Sequence, residues 1–296
     1  MTTDLKETIK HKRPKLSDSS ITTYSSILKN LYKKVFGTGE IDIKKFEDSK
    51  DIMEHLKSIT PNKRKSILSA LVVITNDKKY RDLMLEDIKA YNTETSKQEK
   101  TDTQKAGWIH TNDISSVLET LKKNANLLYK KTELSSEDLQ NIQSYIILCL
   151  LGGSYIPPRR AGDYCNFCIK NIDKERDNYL DKNELVFNTY KTSKCYGQQK
   201  VTCPPELLTI LKKWIKRNPT DHLLFDTKNN KLSNVQLNQK LNKIFGSKSG
   251  KAINALRHSY LSSKFQSTIE ENKKINDTMA DMGSSAQQLK VYVQKE

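Results

Sequence analysis

No stretch of this 296-residue chain approaches the roughly eighteen consecutive apolar residues of a membrane-spanning helix, so no membrane span is expected. The first fifteen residues lack an apolar core of the secretory type. They read as a loose polar arm, with no secretory signal. An intracellular location, in cytoplasm or nucleus, is expected. Five cysteines, an odd number, argue against a disulfide framework and for a reducing compartment. Cys165-x-x-Cys168 has the spacing of half a zinc site, but Cys195 and Cys203 are too far apart to complete it, and no metal is expected. Histidine is scarce too: His11, His55, His110, His222 and His258. No repeat period is evident.

What the chain has in excess is positive charge, +16 overall. Residues 1–100 hold 21 basic and 15 acidic side chains, and residues 101–296 hold 30 and 20. The surplus is therefore spread over the fold and not confined to a tail. A basic folded surface attracts polyanions, and double-stranded DNA is the expected partner. Hydrophobic residues make up 35% of the chain and its mean hydropathy is −0.71, which still leaves enough to bury a core.

Apolar spacing predicts four helices in the first part: Ser17 to Val35, Ile43 to Ile59, one starting at Pro61, and Lys78 to Tyr91. Together they form a small helical domain over 16–91. Lys63, Arg64 and Lys65 stand at the start of the third helix, where backbone N–H groups favour a phosphate, and are candidate DNA contacts. Residues 92–105 contain no apolar side chain and read as an interdomain linker. A second domain is expected over 106–296.

That domain should hold a helix over Trp108 to Leu128 and a buried one over Leu139 to Leu151, ending at Gly152-Gly153. Tyr155-Ile156-Pro157-Pro158 must be extended, since a residue before proline avoids the helical region. Arg159 and Arg160 follow at a turn, where a guanidinium presents its fork to a phosphate. Asp163, three residues after Arg160, is placed to hold that fork. Two strands, 184–190 and 199–203, make a hairpin with Lys191 and Lys194 at its tip. Helices then follow Pro204-Pro205 and Ser233, and cover Ile253 to Phe265 and Lys274 to Met282. A last short helix carries Tyr292. The fold class is mainly α with a small antiparallel β-sheet.

Asn254-Ala255-Leu256-Arg257-His258-Ser259-Tyr260, Met282-Gly283-Ser284-Ser285 and Tyr292 complete a pattern with Arg160 and Lys191. In order and type, these features resemble the tyrosine recombinases, or phage-type integrases. The Pro-Pro-Arg-Arg-x-x-Asp-Tyr wording is most similar to divergent members from large DNA viruses and eukaryotic mobile elements. The resemblance implies a helical core-binding domain and a DNA breaking-rejoining catalytic domain that clamp the duplex. It implies site-specific recombination by a dimer or tetramer on DNA, with no cofactor. Tyr292 would be the nucleophile, forming a 3′-phosphotyrosyl link without ATP or metal. Arg160 (with Arg159 as runner-up) and Arg257 would hold the phosphate, and Lys191 (or Lys194) would protonate the leaving 5′-oxygen. Two positions depart from the pattern: Asn254 and Ser284 stand where the family carries imidazoles. His258, one turn beyond Asn254, is a partial substitute. The same chemistry also fits a type IB topoisomerase, and the basic surface alone fits a DNA-binding relative with weakened chemistry.

Overall fold

Leu5 and Ile9, four residues apart in the polar N-terminal stretch, are fully buried. In this computed structural model, which describes residues 4–47, 49–246, 252–288 and 293, they anchor a first helix, α1 (Leu5–Lys12), capped by Asp4. The expected loose arm is thus corrected. One apolar pair at helical spacing suffices to dock a short helix, and the Lys12 ammonium adds a bond to the Ile74 carbonyl.

The chain divides into two units, 1–99 and 100–296. The first continues with α2 (Asp18–Phe36), a 3-10 turn (Ile43–Phe46), α3 (Ser49–Lys57), α4 (Pro61–Thr75) and α5 (Lys78–Ser96). Leu28, Phe46, Leu68, Leu71, Ile74 and Tyr80 form its core. The single helix expected over 43–59 is two pieces. The buried Tyr80 hydroxyl donates to the Phe46 carbonyl at 3.0 Å, taking an acceptor that a continuing helix would use. The stretch read as linker, 92–105, contains the division between the units. It also holds the end of α5 and a one-turn helix, α6 (Asp102–Ala106), fixed by a Thr101/Gln104 capping box.

The second unit is built around α8 (Ser136–Leu151). Its buried residues include every one from Tyr145 to Leu151. Against it pack α7 (Thr111–Leu128), and later α11 (Pro205–Arg217), α12 (Asn234–Ile244) and α13 (Ala252–Lys264). Between α8 and α11 lie α9 (Ala161–Cys165) and an antiparallel sheet in order β1 (Tyr179–Asp181), β2 (Glu184–Phe187), β3 (Gln199–Thr202), with a one-turn α10 (Ser193–Tyr196) in the β2–β3 loop. β1 and α9 were not expected. Both are too short to show a period, and tertiary partners define them: Tyr179 pairs with Val186, and Asp163 of α9 is buried. Both expected strands end earlier than read, at Phe187 and Thr202. α14 (Gln266–Asp281) begins eight residues before the expected start. The protein is mainly α with one small antiparallel sheet. Among the described residues, no helix is long and apolar enough to cross a membrane.

Candidate active site

The buried end of α8 delivers the chain through Gly152-Gly153 into the extended Pro157-Pro158 segment. Arg160 is the N-cap of α9, with φ −71° and ψ 150°, and its side chain is exposed. Asp163 sits in the first turn of α9 and faces inward, its side chain 4% exposed. Its partner is Arg159, whose Nε donates to Asp163 Oδ2 at 2.9 Å. The expectation that Asp163 holds Arg160 is therefore corrected. Arg159, at i−4, enters the interior on the same face as Asp163, while Arg160 turns outward at the helix entrance.

Burial raises the Asp163 carboxyl above its ordinary value, against the opposing fields of Arg159, Arg160 and Arg257. The charges of Arg257, from α13, and Arg160, from the start of α9, thus both favour the ionised form of one carboxylate although 97 residues separate them. α13 is seated by three residues. Leu256 is fully buried, the buried Ser259 hydroxyl donates to the Ile109 carbonyl, and the Tyr260 ring lies against Gly153. Gly153 has φ +83°, and a Cβ there would stand 2.5 Å from Tyr260 Cδ2, so a glycine lets α13 approach this closely. On α13, Arg257 is half-buried while Asn254 and His258 are exposed.

Lys191 and Lys194 are exposed in the β2–β3 loop. The loop is closed by the Tyr190 hydroxyl, which donates to the Gly197 carbonyl at 2.8 Å. Asn178, fully buried, joins the hairpin to the arginine turn. Its Nδ2 donates to the Asp163 carbonyl (2.7 Å) and the Thr189 carbonyl (2.8 Å), and its Oδ1 accepts from the Asn188 and Thr189 amides. Neither Asn178 nor Gln199, a second link described below, was singled out from sequence. A buried asparagine carries no local sequence signal.

The Gly283-Ser284 turn is the stop of α14. The Ser284 amide donates to Met279 O (2.8 Å) and the Gly283 amide to Ala280 O (2.9 Å), with φ +68° at Gly283, a Schellman arrangement. Ser284 is half-buried. Tyr292 lies outside the described residues.

In the first unit, the basic triplet is corrected at its centre. Arg64 is committed to the buried Asp87 through two bonds of 2.8 and 2.6 Å, so its fork is not offered to a phosphate. Lys63 is exposed, and the Lys65 ammonium sits 3.0 Å from the centre of the Tyr91 ring. Among the described residues, no group of three His, Cys, Asp or Glu is arranged to hold a metal ion. Burial pushes the Cys165 thiol up to about 12 and the Cys168 thiol to about 11, so neither is a ready thiolate.

No family model matches the chain, and no curated protein matches it. Among solved structures it is similar to a crystal structure of XerA recombinase, at 12% identity over 100% of this chain and 95% of that one, with a TM-score of 0.36. It is also similar to a lambda integrase (75–356) dimer bound to a COC′ core site, at 10% identity over 88% of this chain and 85% of that one, with a TM-score of 0.44.

Proposed function

We propose that the protein is a tyrosine-type site-specific DNA recombinase or integrase. The observation that carries this reading is the join between the arginine turn and the lysine hairpin, where Asn178 bonds both the Asp163 and the Thr189 carbonyls, with the charges of Arg160 and Arg257 acting on Asp163. Two guanidiniums from distant segments, with the lysine hairpin tied to the same turn, form a site for one phosphodiester. The wording around Pro157-Pro158-Arg159-Arg160 supports a divergent member of the viral and mobile-element type. The partner is double-stranded DNA, bound by a dimer or tetramer of this chain.

In this reaction the Tyr292 phenolic oxygen attacks phosphorus while the bond to the 5′-oxygen breaks, leaving a 3′-phosphotyrosyl enzyme. Arg160 and Arg257 bind the non-bridging oxygens and strengthen their hold as charge builds there. Lys191 gives a proton to the departing 5′-oxygen. The tyrosyl link stores the bond energy, so a second 5′-hydroxyl reverses the step without ATP. Asn254 and Ser284 supply hydrogen bonds but no base near pH 7, unlike an imidazole. This favours slow chemistry, and it makes a DNA-binding relative with weakened catalysis the second reading.

The test is incubation with a pool of nicked duplexes of randomised sequence, whose cleaved end diffuses away and traps the covalent complex. A denaturant-stable protein–DNA adduct is expected, and its loss in Tyr292→Phe. Retarded DNA with no adduct from the wild-type chain selects the second reading. Relaxation of supercoils without strand transfer selects a topoisomerase.

A further inference from the structure

Arg159 is the immediate neighbour of Arg160, yet two of its donors are committed inside the protein. Nε reaches Asp163 Oδ2 and Nη1 reaches Gln199 Oε1, both at 2.9 Å. Its guanidinium carbon lies 4.0 Å from the centre of the Phe187 ring and 5.2 Å from that of Tyr190. The side chain is 17% exposed. One planar group thus touches the arginine turn through Asp163, the end of β2 through Phe187, the loop beyond it through Tyr190, and the start of β3 through Gln199. Asn178 makes a second tie between the same two segments. Lys191 follows Tyr190 directly, so these anchors set where its backbone leaves the sheet.

We propose that Arg159 is a positioning residue that fastens the Lys191 hairpin to the Arg160 turn, and not a phosphate ligand in its own right. The consequence for catalysis rests on the recombinase reading above. A phosphate drawing Arg159 away would leave Asp163 buried without its hydrogen-bonded partner, which the interior disfavours. The rigid fork matters as well. A lysine at this position reaches one of the two partners but cannot span both. Arg160, exposed at the entrance of α9, is left to meet DNA.

Two variants test this in the full chain. Gln199→Leu removes the hairpin end of the tie and keeps the Arg159–Asp163 pair. Arg159→Lys keeps the charge beside Asp163 and loses the span. The first measurement is amide hydrogen exchange, which needs no catalysis. Residues 184–203 are expected to exchange faster in both variants by about tenfold or more, with α8 unchanged. Unchanged hairpin exchange in both overturns the proposal.

The second measurement is single-turnover cleavage of one nicked duplex in two forms, an ordinary phosphodiester and a 5′-bridging phosphorothiolate. With the ordinary bond, the leaving 5′-oxygen takes a proton from Lys191. With the sulfur bond, the leaving group departs as a thiolate and needs none. Both variants, like Lys191→Ala, are expected to lose on the order of 10²-fold on the ordinary bond and to return to within about threefold of wild type on the sulfur bond. A defect that persists on sulfur shows that Arg159 acts on the phosphate or only on folding, and overturns the proposal. If the wild-type chain forms no adduct with either duplex, the recombinase reading fails, and hydrogen exchange alone then decides whether the tie exists.

Discussion

Arg64 with Asp87 in the first unit and Arg159 with Asp163 in the second are the same chemical pair in different surroundings. Each places a guanidinium against an aspartate buried to within a few per cent. Arg64 turns both of its close bonds onto one carboxylate and ties α4 to α5, neighbours in sequence and in space. Arg159 divides its bonds between Asp163 and Gln199, which belong to different elements. The fields of two further arginines, Arg160 and Arg257, also act on Asp163. A buried pair by itself is a packing device. What marks a site is positive charge collected around it with no carboxylate of its own.

The comparison breaks most sharply if the two pairs are cut. Arg64→Ala strands Asp87 in the interior and is expected to cost about 3–5 kcal/mol, seen as an earlier transition in urea unfolding followed by far-ultraviolet circular dichroism. The double variant Arg64→Met/Asp87→Leu should recover most of that loss. Around the second pair, Arg160→Ala and Arg257→Ala should shift unfolding far less than Arg64→Ala does and slow adduct formation by about 10²–10³-fold, equivalent to about 2.7–4 kcal/mol. If Arg64→Ala slows cleavage by the folded protein as much as Arg257→Ala does, the contrast between the pairs is wrong.

Two glycines sharpen it further. Gly37, after α2, has φ +87° with nothing near an added Cβ, whereas Gly153 has φ +83° with the Tyr260 ring in the way. Gly37→Ala should therefore cost only the backbone strain, about 1–3 kcal/mol. Gly153→Ala should cost that plus about 1–3 kcal/mol of overpacking. By displacing α13 it should also slow cleavage, which Gly37→Ala leaves untouched. Thermal unfolding and the adduct assay read the two effects separately.

Much of this is legible in the sequence alone. α8 announces itself by a nearly unbroken apolar run, α12 by its Ser233 cap, and the hairpin by two alternating runs around Lys191-Thr192-Ser193-Lys194. The arginine at the centre of the basic triplet departs from its expectation because the sequence does not show that Asp87, 23 residues on, faces it from the next helix. Asp163 was assigned to the wrong arginine for a related reason. A spacing of three or four residues is compatible with either neighbour, and only the inward turn of Arg159 decides. The docking of α1 rests on two residues, Leu5 and Ile9, too few to outweigh a polar composition. Asn178 and Gln199, which tie the hairpin down, look like ordinary polar residues until their partners arrive from elsewhere in the chain.

The smallest effect tests the gathering of arginines without any DNA. With its folded-state value raised by burial, Asp163 contributes nothing to pH dependence where folded and unfolded chains both hold the proton. As pH rises through the ordinary carboxylate value of about 3.9, the unfolded chain ionises first. From there up through the raised folded value stability falls, and above it the loss is constant. Asp163→Asn never ionises and should flatten that decline, at the expense of a lower baseline because Arg159 loses its charged partner. Arg257→Ala should act in the opposite direction. Removing one opposing positive charge raises the carboxyl further, so the decline extends to higher pH. Urea midpoints of the three proteins across the acid range measure this directly. If Arg257→Ala leaves the wild-type curve unmoved, the charge of Arg257 does not act on Asp163, and the candidate site loses its second arginine.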